Sequence, residues 1–167
     1  MYNVLDICRF IINYCDEKDY SLSNLKLQKI LYFIQAYFLS CTDSKKPCFK
    51  EKIEAWTFGP VVPVAYHEYK QFGNTNIPRV THYIEYDEND FWKSKVVQYH
   101  DDIICNDDKE IIEKLVDKFA KYSTTALVNI THHQAPWMDA YKQGHNNIIS
   151  NEAIRSYFDG WKFWSAS

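Results

Sequence analysis

The residues most capable of chemistry in this sequence are its five cysteines and six histidines, and their spacing does not assemble a reactive site. His132 and His133 are adjacent, so on a helix their rings would point about 100° apart and could not easily share a metal ion. The cysteines lie in apolar or ordinary contexts and form no C-x-x-C pair. We therefore predict no catalytic residue, no metal site and no cofactor. The alternative is a hydrolase of mobile-element genes that uses Cys/His chemistry.

Cysteine usage also predicts the compartment. The count is odd, and the N-terminal residues "MYNVLDICRF" place Asp6 and Arg9 where a secretory signal needs an unbroken apolar run. A reducing, cytoplasmic location fits best. Cys8 and Cys15 lie seven residues apart on one helical face, which is typical of core thiols. Since no apolar run approaches about 18 residues, we expect no membrane span.

Length and composition predict one globular domain, residues 1–167. Aromatic residues make up 17% of the chain, which indicates a bulky core and a supply of binding anchors. The formal net charge of −3 argues against direct binding of nucleic acid, because such proteins usually carry a basic stripe.

The strongest element is a helix over residues 23–42, "SNLKLQKILYFIQAYFLSCTD", which is apolar around most of its circumference and should run through the centre of the fold. Lys26, Lys29 and Ser40 share a narrow polar strip. Gln28 and Gln35 are almost aligned between two apolar groups, so we expect both amides to be buried and hydrogen-bonded. They either hold the backbone of a neighbouring segment or line a cleft for a partner.

The stretch "IEAWTFGPVVPVAYHEY" predicts a strand over 52–57, a sharp turn, and a helix that begins at Pro63 and stops at Gly73. Because Pro60 follows it, Gly59 is pushed out of the α region and can take dihedral angles that other residues avoid. One glycine offers too few free N–H groups for a phosphate-binding loop.

The remaining elements predict a mainly α (α+β) fold: a compact helical domain around the central helix 23–42, with a small inserted antiparallel β element. In "THHQAPW", His132 can bond the open carbonyls of a helix end, while Pro136 forces a turn that lets Trp137 pack down. The other predicted helices span 3–17, 108–122 (after a capping box of Asp107 and Glu110), 124–132, 136–143 and 151–158, and the predicted hairpin strands span 79–86 and 95–100.

Four stretches together resemble the Panacea antitoxin domain, the SocA-like group that includes phage-associated GepA-type proteins. They are "LKLQKILYFIQAYFL", "FKEKIEAWTFGPVVPVAYHEYKQFG", "LVNITHHQAPWMDAY" and "ISNEAIRSYF", and the resemblance covers about residues 3 to 158. It implies an antitoxin of a toxin–antitoxin system, whose partner is a cognate toxin encoded beside it. The resemblance also implies a second way of neutralising the toxin, in which the protein is an adaptor that delivers its toxin to a cellular protease. Family members carry no agreed catalytic residues, and this chain has no length for the DNA-binding helix-turn-helix that some members contain.

The resemblance and the turn residues select a set of positions for partner binding or for the scaffold beneath it. We expect a binding face where helix 23–42, the Gly59–Pro60 turn and the 131–137 segment meet. The candidates are Gln28, Lys29, Tyr32, Gln35, Trp56, Gly59, Pro60, His132, Pro136 and Trp137.

Overall fold

The computed structural model describes residues 1–87, 91–161 and 164, and in this part of the chain helices surround a small antiparallel sheet. The predicted class, mainly helical with a small inserted β element, is confirmed. The elements are α1 (Val4–Glu17), α2 (Asn24–Ser40), β1 (Ile53–Trp56), β2 (Gly59–Val61), α3 (Pro63–Tyr69), β3 (His82–Glu85), β4 (Lys95–Gln98), α4 (Asn106–Ala120), α5 (Thr124–His132), α6 (Ala135–Ala140), β5 (Asn147–Ile149) and α7 (Asn151–Phe158).

Helix α2 is the centre of the fold, as predicted. The Ser23 side chain caps it by accepting a hydrogen bond from the Lys26 N–H, and nearly every residue that follows is buried. The polar strip is buried as well: Lys26 lies beneath α4 and donates its Nζ to the carbonyl of Ala120 at 2.8 Å. The polar strip is therefore not a solvent-exposed face, because other elements of the fold pack against α2 on all sides.

A single hydrophobic cluster runs from Val4 in α1 to Phe158 in α7. Phe33 of α2 lies among its aromatic rings, stacking on Phe119 of α4 at 4.1 Å and meeting Phe158 edge to face. Cys8 and Cys15 belong to this cluster, which confirms their interpretation as core thiols. None of the described helices combines the length and the apolar character that crossing a membrane requires.

The central sheet has the order β2–β1–β5, and both pairings are antiparallel. Strand β1 was predicted, but β2 and β5 were not. The second half of the turn pairs back on β1, so that Ala55 lies opposite Pro60. Strand β5 pairs from the other side, with Ile53 opposite Ile149, and both of these side chains point into the core.

The predicted hairpin is present as β3 and β4, with strands shorter than the predicted 79–86 and 95–100. Ile84 lies opposite Val96 in its register. The predicted connection "DENDFWKS" is described only in part, because its residues 88–90 lie outside the described residues.

Two predicted helix boundaries are wrong. Helix α4 begins at Asn106 with Cys105 at its N-cap and no side-chain capping hydrogen bond, so Asp107 and Glu110 both lie inside the helix and the predicted capping box does not start it. Helix α6 ends at Ala140 rather than at residue 143, because the chain turns extended at Tyr141 and bends back in a bridge between Lys142 and His145.

Candidate functional site

A buried lysine lies at the centre of the candidate site. Lys29 of α2 is fully buried, and its Nζ donates a hydrogen bond to the carbonyl of Pro60 at 2.8 Å. Burial lowers the pKa of this ammonium group to about 7. The Lys29 side chain therefore links the central helix to strand β2 through a buried hydrogen bond. Near neutral pH only a part of the Lys29 side chains is protonated.

The Gly59 position requires glycine for two reasons. Its φ of +98° lies in a region that other residues rarely adopt. A Cβ atom there would also lie 2.7 Å from Thr131 Oγ1 and 2.9 Å from Lys29 Cε. The crowding of Gly59 and Pro60 after Trp56 is thus explained: the backbone must pass against α2 and α5 with no side chain in between.

The two buried glutamines of α2 bind backbone, which supports the first of the two interpretations of these amides. Gln28 Oε1 accepts a hydrogen bond from the Val62 N–H at 3.0 Å. Gln35 Oε1 accepts from the N–H groups of Cys48 and Phe49, and its Nε2 donates to the Phe49 carbonyl. Both amides therefore fasten the segments that enter and leave the sheet onto the central helix.

The Tyr32 side chain extends from α2 and is fully buried against α7. Its ring meets Phe33 and Phe158 edge to face. Its hydroxyl makes no hydrogen bond within the described residues, and burial raises its pKa. Together with Gln28, Lys29 and Gln35, it is one of four candidates with no exposed surface. In this conformation these four residues contact other parts of the chain rather than a partner.

The segment after α5 locks the other side of the turn. The Trp137 ring stacks between His132, at 4.1 Å, and Tyr141, at 4.6 Å. Trp137 Nε1 donates a hydrogen bond to the Trp56 carbonyl at 3.0 Å. Pro136 lies in the first turn of α6, so the predicted packing of Trp137 after a proline turn is confirmed. The sequence signal for this contact is an indole that must find an acceptor when it is buried.

His132 has a different contact from the predicted one. Its neighbour His133 bonds the open helix carbonyl, with Nδ1 2.7 Å from the Asn129 oxygen. His132 turns inward, where its ring stacks on Trp137. Burial, and then the positive charge of nearby Lys29, lower the pKa of His132, so the neutral ring is favoured.

Several buried polar atoms near this segment have no hydrogen-bond partner within the described residues. They are His132 Nε2 and both amide atoms of Gln134, a side chain that is only 2% exposed. Each unpaired buried group of this kind costs on the order of 1–3 kcal/mol. Ring stacking and backbone contacts therefore hold the 131–137 segment, and these unpaired polar atoms make it less stable than full hydrogen bonding would.

Two apolar side chains next to this buried network are exposed, one on the turn and one on α6. Phe58, between Trp56 and Gly59, is 63% exposed, and Met138, next to Trp137, is 57% exposed. Trp56 is half-buried and packs edge to face on Tyr66. We call Trp56, Phe58 and Met138 the Phe58 surface. Sequence reasoning missed Phe58 and Met138, although "WTFGP" places a large apolar residue at the tip of a tight turn, where it has to be exposed.

The described residues do not form an arrangement suited to nucleophilic or metal chemistry. Cys8, Cys15 and Cys48 are buried, and burial raises the pKa of each thiol, which disfavours the reactive thiolate. The cleft between α1 and the hairpin, about 340 Å³ in volume, is lined by His100 and several carboxylates, and no cysteine is among its described lining residues. Among the described residues, no group of three His, Cys, Asp or Glu side chains is placed to hold a metal.

Comparison with known proteins gives one family and one curated relative. The model of a family described as "Antitoxin SocA-like, Panacea domain" matches residues 27–138. The protein named "Antitoxin SocA" from Caulobacter vibrioides (strain NA1000 / CB15N) is 50% identical over 48 residues, which is 29% of this chain and 24% of that protein. The alignment thus spans about a quarter of the length of the relative. No solved structure matches the chain. The family match covers α2 from Leu27 onward, the sheet turn and the 131–137 segment, and so contains every candidate residue named from the sequence.

Proposed function

The chain belongs to the SocA-like antitoxin family that carries the Panacea domain, and we propose that it neutralises a toxin encoded beside it by binding that toxin directly. The contact is made by the Phe58 surface. Inhibition follows from occupation of the toxin and needs no bond to be made or broken.

One observation carries the proposal: the Phe58 side chain is exposed to solvent on a turn whose backbone is fixed by buried contacts. Phe58 is 63% exposed, while Gly59 and Pro60 beside it are buried against Lys29 and Thr131. Trp137 holds the preceding carbonyl of Trp56. Exposed aromatic side chains fixed in place are typical binding anchors, since little conformational freedom is lost when the partner arrives.

The candidates divide into two roles under this proposal. Trp56 contributes the edge of its ring to the partner, beside Phe58 and Met138. The buried residues keep the turn in its binding conformation without touching the toxin. We propose that residues 1–167 act as one unit, because the core cluster connects α1 to α7 through the same α2 that supports the turn. The scaffold residues are Gln28, Lys29, Tyr32, Gln35, Gly59, Pro60, His132, Pro136 and Trp137.

Binding is favoured over the alternative of a Cys/His hydrolase. The buried thiols have raised pKa values, and the exposed cysteines, Cys41 and Cys105, lie outside the segments that form the site. A nucleophile needs a lowered pKa or an adjacent base. The aromatic turn, by contrast, has the composition and rigidity that an interface centre requires.

The experiment is co-expression of the adjacent reading frame with this chain in a host that the adjacent gene product alone arrests. The wild-type chain restores growth. Phe58→Asp places a charge in the centre of the proposed contact, and we expect it to weaken binding about 100-fold, enough to abolish rescue at low expression. Growth rate and the amount of co-purified toxin are the two readouts.

The matched control is Thr125→Asp, which adds the same charge at the exposed N-terminal turn of α5, away from the turn that carries Phe58. A carboxylate in the first turn of a helix is tolerated, so this variant should rescue like the wild type. If Phe58→Asp folds normally and still rescues as well as Thr125→Asp, the proposed contact is wrong.

A further inference from the structure

The outer side of strand β1 carries a carboxylate beside an indole ring. Successive residues of a strand point to opposite sides, and Ile53 and Ala55 are buried in the core. Glu54 and Trp56 therefore share the other side of the strand, where both are half-buried. Glu54 Oε2 accepts a hydrogen bond from Trp56 Nε1 at 2.8 Å, so the carboxylate is held against the edge of the indole.

A tyrosine of α3 adds a second ring to this arrangement. The rings of Trp56 and Tyr66 meet edge to face, with their centroids 4.9 Å apart and their planes at 64°. Tyr66 is half-buried as well, and the ring of the exposed His67 lies 5.6 Å from it. We call Glu54, Trp56 and Tyr66 the Glu54 site. It shares Trp56 with the Phe58 surface, so the two are adjacent.

Glu54 has no cationic partner within the part of the chain that the structure describes. No lysine, arginine or histidine there forms an ion pair with it, and its second oxygen, Oε1, accepts no hydrogen bond. Lys52, two residues earlier in the chain, is exposed and lies outside ion-pair distance of the carboxylate. A half-buried carboxylate without a counter-charge attracts a cation, and a charge-assisted hydrogen bond is stronger than a neutral one.

Charge and ring chemistry together select the occupant of this site. The π faces of tryptophan and tyrosine attract cations, and tryptophan attracts them most strongly. An arginine guanidinium is planar, so it can stack on a ring while its N–H groups donate to a carboxylate. The phosphates of nucleic acid would be repelled by Glu54. In a symmetric contact between two copies of the chain, the two Glu54 carboxylates would face and repel each other.

We infer that the Glu54 site binds a cationic side chain of the toxin, which donates to Glu54 Oε1 and packs against the rings of Trp56 and Tyr66. This inference rests on the proposed function and deepens it, because it names the chemistry of the toxin surface beside the Phe58 contact. Phe58 and Met138 contact an apolar part of the toxin, and the Glu54 site selects toxins that carry a cation next to it. Arginine, tryptophan and tyrosine are the residues in which interface hot spots are enriched.

The test is the dissociation constant between this chain and the purified product of the adjacent reading frame, measured by calorimetry at several salt concentrations. Glu54→Gln removes the charge and keeps an oxygen that can accept from Trp56 Nε1. We expect it to weaken binding about tenfold at low salt and to make the remaining affinity less sensitive to salt. Trp56→Leu keeps an apolar side chain without a π face, and it should also weaken binding about tenfold.

Two further variants give the test its controls. Asp43→Asn removes one exposed carboxylate from the loop after α2, and it should bind with the affinity and salt dependence of the wild type. Glu54→Leu distinguishes a cationic occupant from an apolar one. A cationic group of the toxin binds this variant more weakly than the wild type, whereas an apolar group binds it equally well or more tightly. Thermal unfolding of each variant verifies that it is folded before binding is measured.

The outcomes separate this inference from the proposed function. If the wild-type chain does not bind the adjacent product at all, both fail. If the wild-type chain binds and Phe58→Asp abolishes binding, but Glu54→Gln and Glu54→Leu bind as tightly as Asp43→Asn or more tightly, only the inference is overturned. If Glu54→Gln instead changes the mass of this chain alone in light scattering, the site joins two copies of the chain, and the inference is likewise overturned.

Discussion

The turn that carries Phe58 and the β3–β4 hairpin both expose apolar side chains, but they are attached to the core in different ways. Buried side chains of α2 and α6 hold the turn by hydrogen bonds. Lys29 donates one to the Pro60 carbonyl, and Trp137 donates one to the Trp56 carbonyl. Among the described contacts, the hairpin is held mainly at its base, by the Asn13 clamp on Val80 and the packing of Tyr83 on Arg9.

The difference shows why the turn is the better support for a binding surface. A surface fixed by buried hydrogen bonds loses little freedom on binding, so its contact energy is retained as affinity. A two-stranded hairpin is only marginally stable by itself and depends on its anchor.

The largest effect should come from Gly59→Ala in the turn. The substitution forces a φ of +98° on alanine and drives its Cβ to 2.7 Å from Thr131 Oγ1, and we expect a loss of about 3 kcal/mol or more of unfolding free energy. Gly144→Ala is the control, because Gly144 has a φ of +77° and no atom within 4 Å of the added Cβ. Urea titration compares them, and Gly144→Ala should cost only about 1 kcal/mol. Equal losses would show that close packing at the turn is unimportant.

The second comparison uses the amide clamp on the segment that enters the central sheet and the amide clamp of the hairpin. Gln35→Ala leaves the Cys48 and Phe49 N–H groups without their fully buried acceptor, and it should cost about 3 kcal/mol. Asn13→Ala removes a half-buried clamp of the same chemistry, and it should cost about 1 kcal/mol. Hydrogen exchange should show global loosening in the first variant and faster exchange confined to the hairpin in the second. The contrast between the two regions would fail if both variants loosened the whole molecule equally.

A smaller effect concerns the pH dependence that Lys29 contributes. Its pKa is lowered to about 7 in the folded protein, so above that pH the unfolded chain binds more protons and stability rises with pH. From pH 7 to 8.5 this rise should be about 1–2 kcal/mol. Above that range the buried thiols, whose pKa values are raised, oppose it. Lys29→Met should lose the rise in urea titrations across this window. If the stability of the wild type and of Lys29→Met changed in parallel with pH, Lys29 would not lose its proton in the folded protein over this range, and the prediction would be wrong.

The helical part of this fold was predictable because its signals are local. Asn3 and Ser23 cap α1 and α2 at the residues where the predicted helices 3–17 and 23–42 begin, and the apolar periodicity of α2 required burial. Strand β5 was not predictable, since Asn147–Ile149 is three residues long and its partner β1 lies about ninety residues away. A strand of that length carries no periodic pattern, so only the assembled core reveals it.

The candidate site was predictable in its position but not in its roles. The glutamines, Lys29 and Tyr32 are all buried, and a sequence cannot distinguish a buried polar residue that holds backbone from one that binds a partner. Phe58 was overlooked for the converse reason. Apolar residues are expected inside, so an exposed one on a tight turn is identified only when the burial of its neighbours is known.

The most direct test of the account is the dissociation constant between the purified chain and the adjacent gene product, measured by calorimetry for the wild type, Phe58→Asp and Thr125→Asp at equal folded fractions. The account predicts that Phe58→Asp weakens the complex about 100-fold while Thr125→Asp leaves it unchanged. Equal dissociation constants for all three proteins would contradict it, because the exposed ring at the locked turn would then play no part in holding the toxin.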